Sequence, residues 1–149
     1  DVLINSAGFG GLTVFAGWAA LDRPLTSPIV LVAVGFFFLF VAFYPLTQIY
    51  QMDEDRERGD HTLALALGKR NALLLSLAAA VLAFVFFLGE AAAHYLTWRS
   101  IGLVIALGLW LALLIPWLRR SAWLRSRRSL PPSALIRSRS PRSGWPAGS

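Results

Sequence analysis

Four stretches of this chain carry no charged side chain for eighteen residues or more: 2–21, 28–50, 72–89 and 101–118. A helix of about 20 apolar residues crosses the hydrocarbon core of a bilayer. Inside that core the backbone finds no water, so only helices and closed barrels can span it. None of the four stretches alternates apolar and polar residues with period two, which argues against a barrel. The expected fold is an all-α integral membrane protein with about four transmembrane helices. Composition agrees, with 56% hydrophobic and only 15% charged residues and a mean hydropathy of +0.60. A soluble domain carries about 25% charged residues. The chain has no cysteine, so disulfides are excluded and the redox compartment is not readable.

The net charge of +6 is unevenly placed. Eight arginines follow the last apolar stretch, from Arg119 to Arg142. Arg56, Arg58, Lys69 and Arg70 lie between the second and third, and only Arg23 and Arg99 fall in the other two loops. If the spans alternate in direction, twelve basic residues face one side and two the other. The positive-inside rule makes the 51–71 loop and the C-terminal tail cytoplasmic. A basic protein can also bind nucleic acid, but charge that follows loop parity reads as topology, and no nucleic-acid partner is expected.

The first span is rich in small residues four apart, such as Ser6/Gly10 and Ala7/Gly11, a spacing that lets helices approach closely in lipid. Pro45 lies inside the second and is expected to kink it or free a carbonyl, near the polar Thr47, Gln48 and Tyr50. Residues 121–149 are rich in Arg, Ser and Pro and contain no acid, and are expected to be disordered or to lie on anionic head groups. The chain begins at Asp1 rather than Met, and the expectation is a piece of a longer protein within a larger helical bundle.

The anomaly is the sequence QMDEDRERGDHT, residues 51–62, at the end of the most apolar stretch. A charge run there is ordinarily a solvated loop, and Glu54–Arg58 is an acceptable i,i+4 pair. Yet the C-terminus of a helix carries partial negative charge, so Asp53, Glu54, Asp55 and Glu57 are unfavourably placed. A local rule broken without compensation points to a functional site, and the missing compensation is a cation. Oxygen ligands without cysteine favour Mg²⁺ or Ca²⁺. An EF-hand does not fit, because the twelfth loop position from Asp53 is Ala64. On a continuous helix Asp53, Glu57 and Asp60 share one face and Gln51 and Asp55 another, with Gly59 ending the helix. Arg56, Arg58, Lys69 and Arg70 stand near enough in sequence to meet a diphosphate.

The run QIYQMDEDRERGDHTLALALG resembles the second aspartate-rich motif of the UbiA-type intramembrane prenyltransferases, which reads Asp-x-Glu-x-Asp-Arg-x-x-Gly-x-x-Thr and then a short apolar stretch and Gly. The matching positions are Asp53, Asp55, Arg56, Gly59, Thr62 and Gly68, while Gln51 stands at the leading aspartate. The resemblance covers residues 1–120 as the C-terminal portion of such a domain, and 121–149 stand outside it as the basic tail. The family's first motif, Asn-Asp-x-x-Asp-x-x-x-Asp, does not occur in these residues.

This resemblance implies a Mg²⁺-dependent enzyme of a bacterial inner or other plasma membrane. It would transfer a prenyl group from a prenyl diphosphate to an aromatic or other lipophilic acceptor. It implies Asp53 and Asp55 as catalytic carboxylates, Asp53, Asp55 and Glu57 as metal ligands, and Tyr50, Gln51, Arg56 and Lys69 as diphosphate contacts. Phe36, Phe37, Phe38, Phe40 and Phe43 would line a carbocation chamber by cation–π contact or simply pack. With one carboxylate cluster the fragment is expected to be inactive without the upstream half of the bundle. The alternative is a non-enzymatic membrane subunit or transporter fragment whose acidic loop binds cations.

Overall fold

The computed structural model describes residues 2–93 and 97–128. These form four helices and, among the described residues, no strand. They are α1 (Val2–Ala19), α2 (Ser27–Arg58), α3 (Leu63–Ala93) and α4 (Thr97–Arg128). Each is long and apolar enough to cross a membrane. The expected all-α architecture with four spans is therefore present.

The helices extend past the apolar runs where the sequence allows it. Pro28 sits in the first turn of α2, where a missing N–H costs nothing, and the helix continues through Pro45 to Arg58. Helix α4 continues to Arg128, eight residues into the segment expected to be a disordered tail. Its Ala, Leu and Arg residues are good helix formers, and no Gly or Pro interrupts them before Pro131. The expectation for the rest of the tail lies outside the described residues.

Within α1, Ser6–Leu12 is wound as a π-helix. Both the backbone N–H and the hydroxyl of Thr13 reach back five residues to the Gly8 carbonyl, the hydroxyl at 2.9 Å. The small residues of this turn serve packing. A Cβ on Gly10 would sit 2.7 Å from the Phe36 carbonyl oxygen, so α1 meets α2 backbone to backbone.

Helices α2 and α3 make the most extensive pair. Apolar burial gives no net drive in lipid, so close packing must hold spans together. Ala72, Ala79 and Ala80 supply it on α3, all buried, against Val41, Ala42 and Ile49 of α2. Trp110 and Leu114 of α4 close the other side of this core, with the Phe43 and Trp110 rings 4.9 Å apart. The remaining phenylalanines of α2 pack as well. Phe36 meets Phe87 edge-on at 5.2 Å, Phe38 stacks on Phe86 at 5.7 Å, and Phe40 stacks on Phe9 at 6.4 Å.

Candidate active site at the α2–α3 turn

The turn between α2 and α3 is built by local rules. Gly59 adopts φ 75° and ψ 20°, the left-handed conformation that glycine takes without a Cβ penalty. Its N–H reaches the Arg56 carbonyl at 3.3 Å, and the Asp60 N–H reaches the Asp55 carbonyl at 2.9 Å. These two bonds are the Schellman pattern, which satisfies carbonyls that the helix end would leave open. The reversal folds Asp60 back over Asp55. Asp60 therefore does not share a face with Asp53 and Glu57, as a continuous helix would have required.

The start of α3 is capped twice. Thr62 Oγ1 accepts the Leu65 N–H at 3.4 Å, the ordinary N-cap bond. Gln48 Oε1, from one turn above Tyr44 on α2, accepts the Ala64 N–H at 3.1 Å. A side chain of α2 thus ties down the first turn of α3. Five residues later Gly68, at φ 74° and ψ 155°, breaks α3 in a region open essentially only to glycine.

The carboxylates divide between two environments. Asp55 is 3% exposed, and Arg58 Nη2 donates to its Oδ1 at 2.6 Å. Arg58 Nε donates to Asp60 Oδ2 at 3.1 Å, so one guanidinium spans both acids. Arg58 lies beyond the apolar run, and the hydrogen bonds to Asp55 and then Asp60 hold the pKa of its guanidinium above the ordinary value, against desolvation. Asp53 is on the other side, its side chain 97% exposed, with Arg56 Nη1 at 3.3 Å from Oδ1. An exposed pair of that kind contributes about 0.2–1 kcal/mol at most. Among the described residues no three His, Asp or Glu side chains converge as a ready-made metal cage.

Beside the turn lies an open cavity of about 1090 Å³. Its rim is polar, formed by Arg56, Asp60, His61 and Thr62, with Tyr44 and Gln48 further along α2. Its walls are apolar, from Val2, Leu3 and Ile4 of α1, Val41 of α2 and Leu63, Leu65, Ala66 and Leu75 of α3. Val41 and Arg56 are fifteen residues apart on α2, about 22 Å of helix rise. Pro45 lies in this stretch of α2, where its missing N–H removes the i,i+4 donor to the Val41 carbonyl. Asn5 Nδ2 donates to the Tyr44 hydroxyl at 3.3 Å and joins α1 to this wall.

Of the expected site residues, Arg56 lines the cavity; Asp55 is buried and does not line it, although Arg58 links it to Asp60 on the rim. Asp53, Glu57 and Gln51 are exposed, Tyr50 is 90% exposed, and none of the four lines the cavity. Lys69 also lies off it, its Nζ 5.7 Å from the Trp117 ring centroid on α4. None of the five phenylalanines of α2 reaches the cavity; they serve packing. Tyr44 and Asn5 join the wall with no motif to announce them, although 41, 44 and 48 follow helical spacing.

The model of the family described as the UbiA prenyltransferase family matches residues 2–134. No curated protein and no solved structure matches the chain. The family match spans all four helices and the turn whose Gly59, Thr62 and Gly68 have now been given structural reasons. This chain belongs to the UbiA prenyltransferase family.

Proposed function

We propose that this chain forms the diphosphate-binding side of a Mg²⁺-dependent membrane prenyltransferase acting on a prenyl diphosphate and an aromatic or other lipophilic acceptor. The cavity carries this reading. A charged rim on a cavity that runs about 22 Å along α2 (length from helix rise), with apolar lining from α1 and α3, suits an anionic head group with an isoprenoid tail. Arg56 and His61 sit where the phosphates would meet the rim, and the apolar walls keep water from the tail. Tyr50, Gln51 and Lys69 stand second to Arg56 as diphosphate contacts because they lie off the rim.

The donor set fits magnesium, which takes hard oxygen ligands and typically rests on one or two carboxylates plus substrate phosphates, so no three-acid cage is required. Asp53, Asp55 and Glu57 are the proposed ligands, Asp55 foremost because Arg58 links it to Asp60, which lines the cavity. Magnesium, when bound, supplies charge neutralisation of the leaving diphosphate. A single carboxylate cluster neutralises only part of that charge, so transfer needs a second cluster from the upstream half of the bundle. In this reading the acidic turn faces the cytoplasm, the side that the positive-inside rule favours for twelve of the fourteen basic residues.

The test is prenyl transfer in membranes containing this chain, alone and co-expressed with a bundle half that carries the first aspartate motif. Transfer is expected only from the pair and only with Mg²⁺ present. Transfer that persists in EDTA contradicts the proposal, as does metal-dependent transfer by the chain alone.

A further inference from the structure

Arg58 has no position in the family motif as matched here, and it lies outside the cavity wall. It nevertheless makes the two shortest side-chain contacts to acids in the turn, at 2.6 Å to Asp55 and 3.1 Å to Asp60. Asp55 is nearly inaccessible beneath it, with a side chain 5% exposed, while the Arg58 side chain remains 59% exposed. A buried carboxylate is costly unless paired, and this one is paired with a cation that solvent can reach and draw away. The Schellman reversal at Gly59 makes the arrangement possible, since it returns Asp60 to the side of Arg58.

We propose that Arg58 is a latch: its guanidinium holds the place of a cation between Asp55 and Asp60 and must release Asp55 before that carboxylate can ligate a metal. The latch lets the turn fold without metal, because the buried carboxylate stays neutralised. It also opposes metal binding in the absence of substrate. Release frees a positive charge two residues along the helix from Arg56, which lines the cavity. Opening is therefore favoured when the anionic substrate is present and can accept the released guanidinium. This inference rests on the proposed role of Asp55 as a ligand.

Mn²⁺ binding, followed by electron paramagnetic resonance on the detergent-solubilised chain without added pyrophosphate, reads the closed latch without any turnover. Arg58→Gln should tighten Mn²⁺ binding by about three- to tenfold, because a closed state lowers apparent affinity by the fraction that is open. Asp60→Asn, which loosens the latch and leaves Asp55 in place, should change affinity in the same direction and by less. In EDTA, Arg58→Gln should melt below the wild-type chain, and saturating Mn²⁺ should narrow that difference. Asp55→Asn should abolish Mn²⁺ binding, leaving the free-ion spectrum at full intensity. If Asp55→Asn binds Mn²⁺ as wild type does, the assignment of the ligand is wrong and the latch falls with it. If binding depends on Asp55 but folded Arg58→Gln binds equally or more weakly, Arg58 is no latch and only this inference is overturned.

Discussion

Gln48 Oε1 accepts the backbone N–H of Ala64 at 3.1 Å, across sixteen residues and from one helix to the next. The bond fixes the first turn of α3 against α2, and with it the height of the rim above the cavity. Truncation to Gln48→Ala leaves a helix-terminal N–H with one acceptor fewer, a loss of about 1–3 kcal/mol. Gln48→Glu keeps the acceptor and puts negative charge at a helix N-terminus, where it is favourable. Unfolding in detergent should therefore rank wild type and Gln48→Glu together, above Gln48→Ala.

Gly59 and Gly68 both have positive φ, with different ψ, and substitution separates them. Gly59 occupies the left-handed region that asparagine also visits, so Gly59→Asn should be close to neutral. Gly68 occupies a region open essentially only to glycine, and Gly68→Ala and Gly68→Asn should each cost about 1–3 kcal/mol. No neighbouring atom would meet a Cβ at either position, so the difference is one of backbone conformation alone. Thermal melts of the three variants check the ranking.

Arg56 lines the cavity and Lys69 stacks over Trp117, so the two cations should differ in kinetics. Arg56→Gln removes a charged hydrogen-bond donor from the rim and should raise KM for prenyl diphosphate by about ten- to a hundredfold. Lys69→Gln should leave KM near the wild-type value. The reverse ranking in steady-state assays would move the diphosphate to the α4 side of the turn.

Much of the fold was legible because lipid leaves a chain few choices. Charge-free runs long enough to span became helices, and Gly59, Thr62 and Gly68 became a left-handed C-cap, an N-cap and a helix break. The site was less legible, for two geometric reasons. The pairing of Asp55 with Asp60 depends on the reversal at Gly59, which helical spacing counted forward from Asp53 does not anticipate. The direction of Lys69 depends on the break at Gly68, which turns the following residue toward Trp117. Phenylalanine is ambiguous in lipid by nature, since packing and cavity-lining use the same side chain, and only neighbours such as Phe86 and Phe87 decide.

The distribution of basic residues yields a topology that cysteine labelling can read directly, since the chain has no cysteine of its own. Glu54→Cys and Ser138→Cys should react from the cytoplasmic face, and Pro24→Cys from the other. Labelling of Glu54→Cys and Ser138→Cys from opposite faces would refute the four-span arrangement.

The carboxylate of Asp55, the proposed carrier of metal-dependent prenyl transfer, can be removed with almost no change in volume. Prenyl transfer with Mg²⁺ should be measured for wild type and Asp55→Asn in the assembled bundle, with matched amounts of folded protein in membranes. Asp55→Asn should lose at least about a hundredfold in kcat, the scale of removing one electrostatic stabiliser from a reacting centre. Wild-type turnover by Asp55→Asn, with unchanged dependence on Mg²⁺, would contradict the role of Asp55 in transfer.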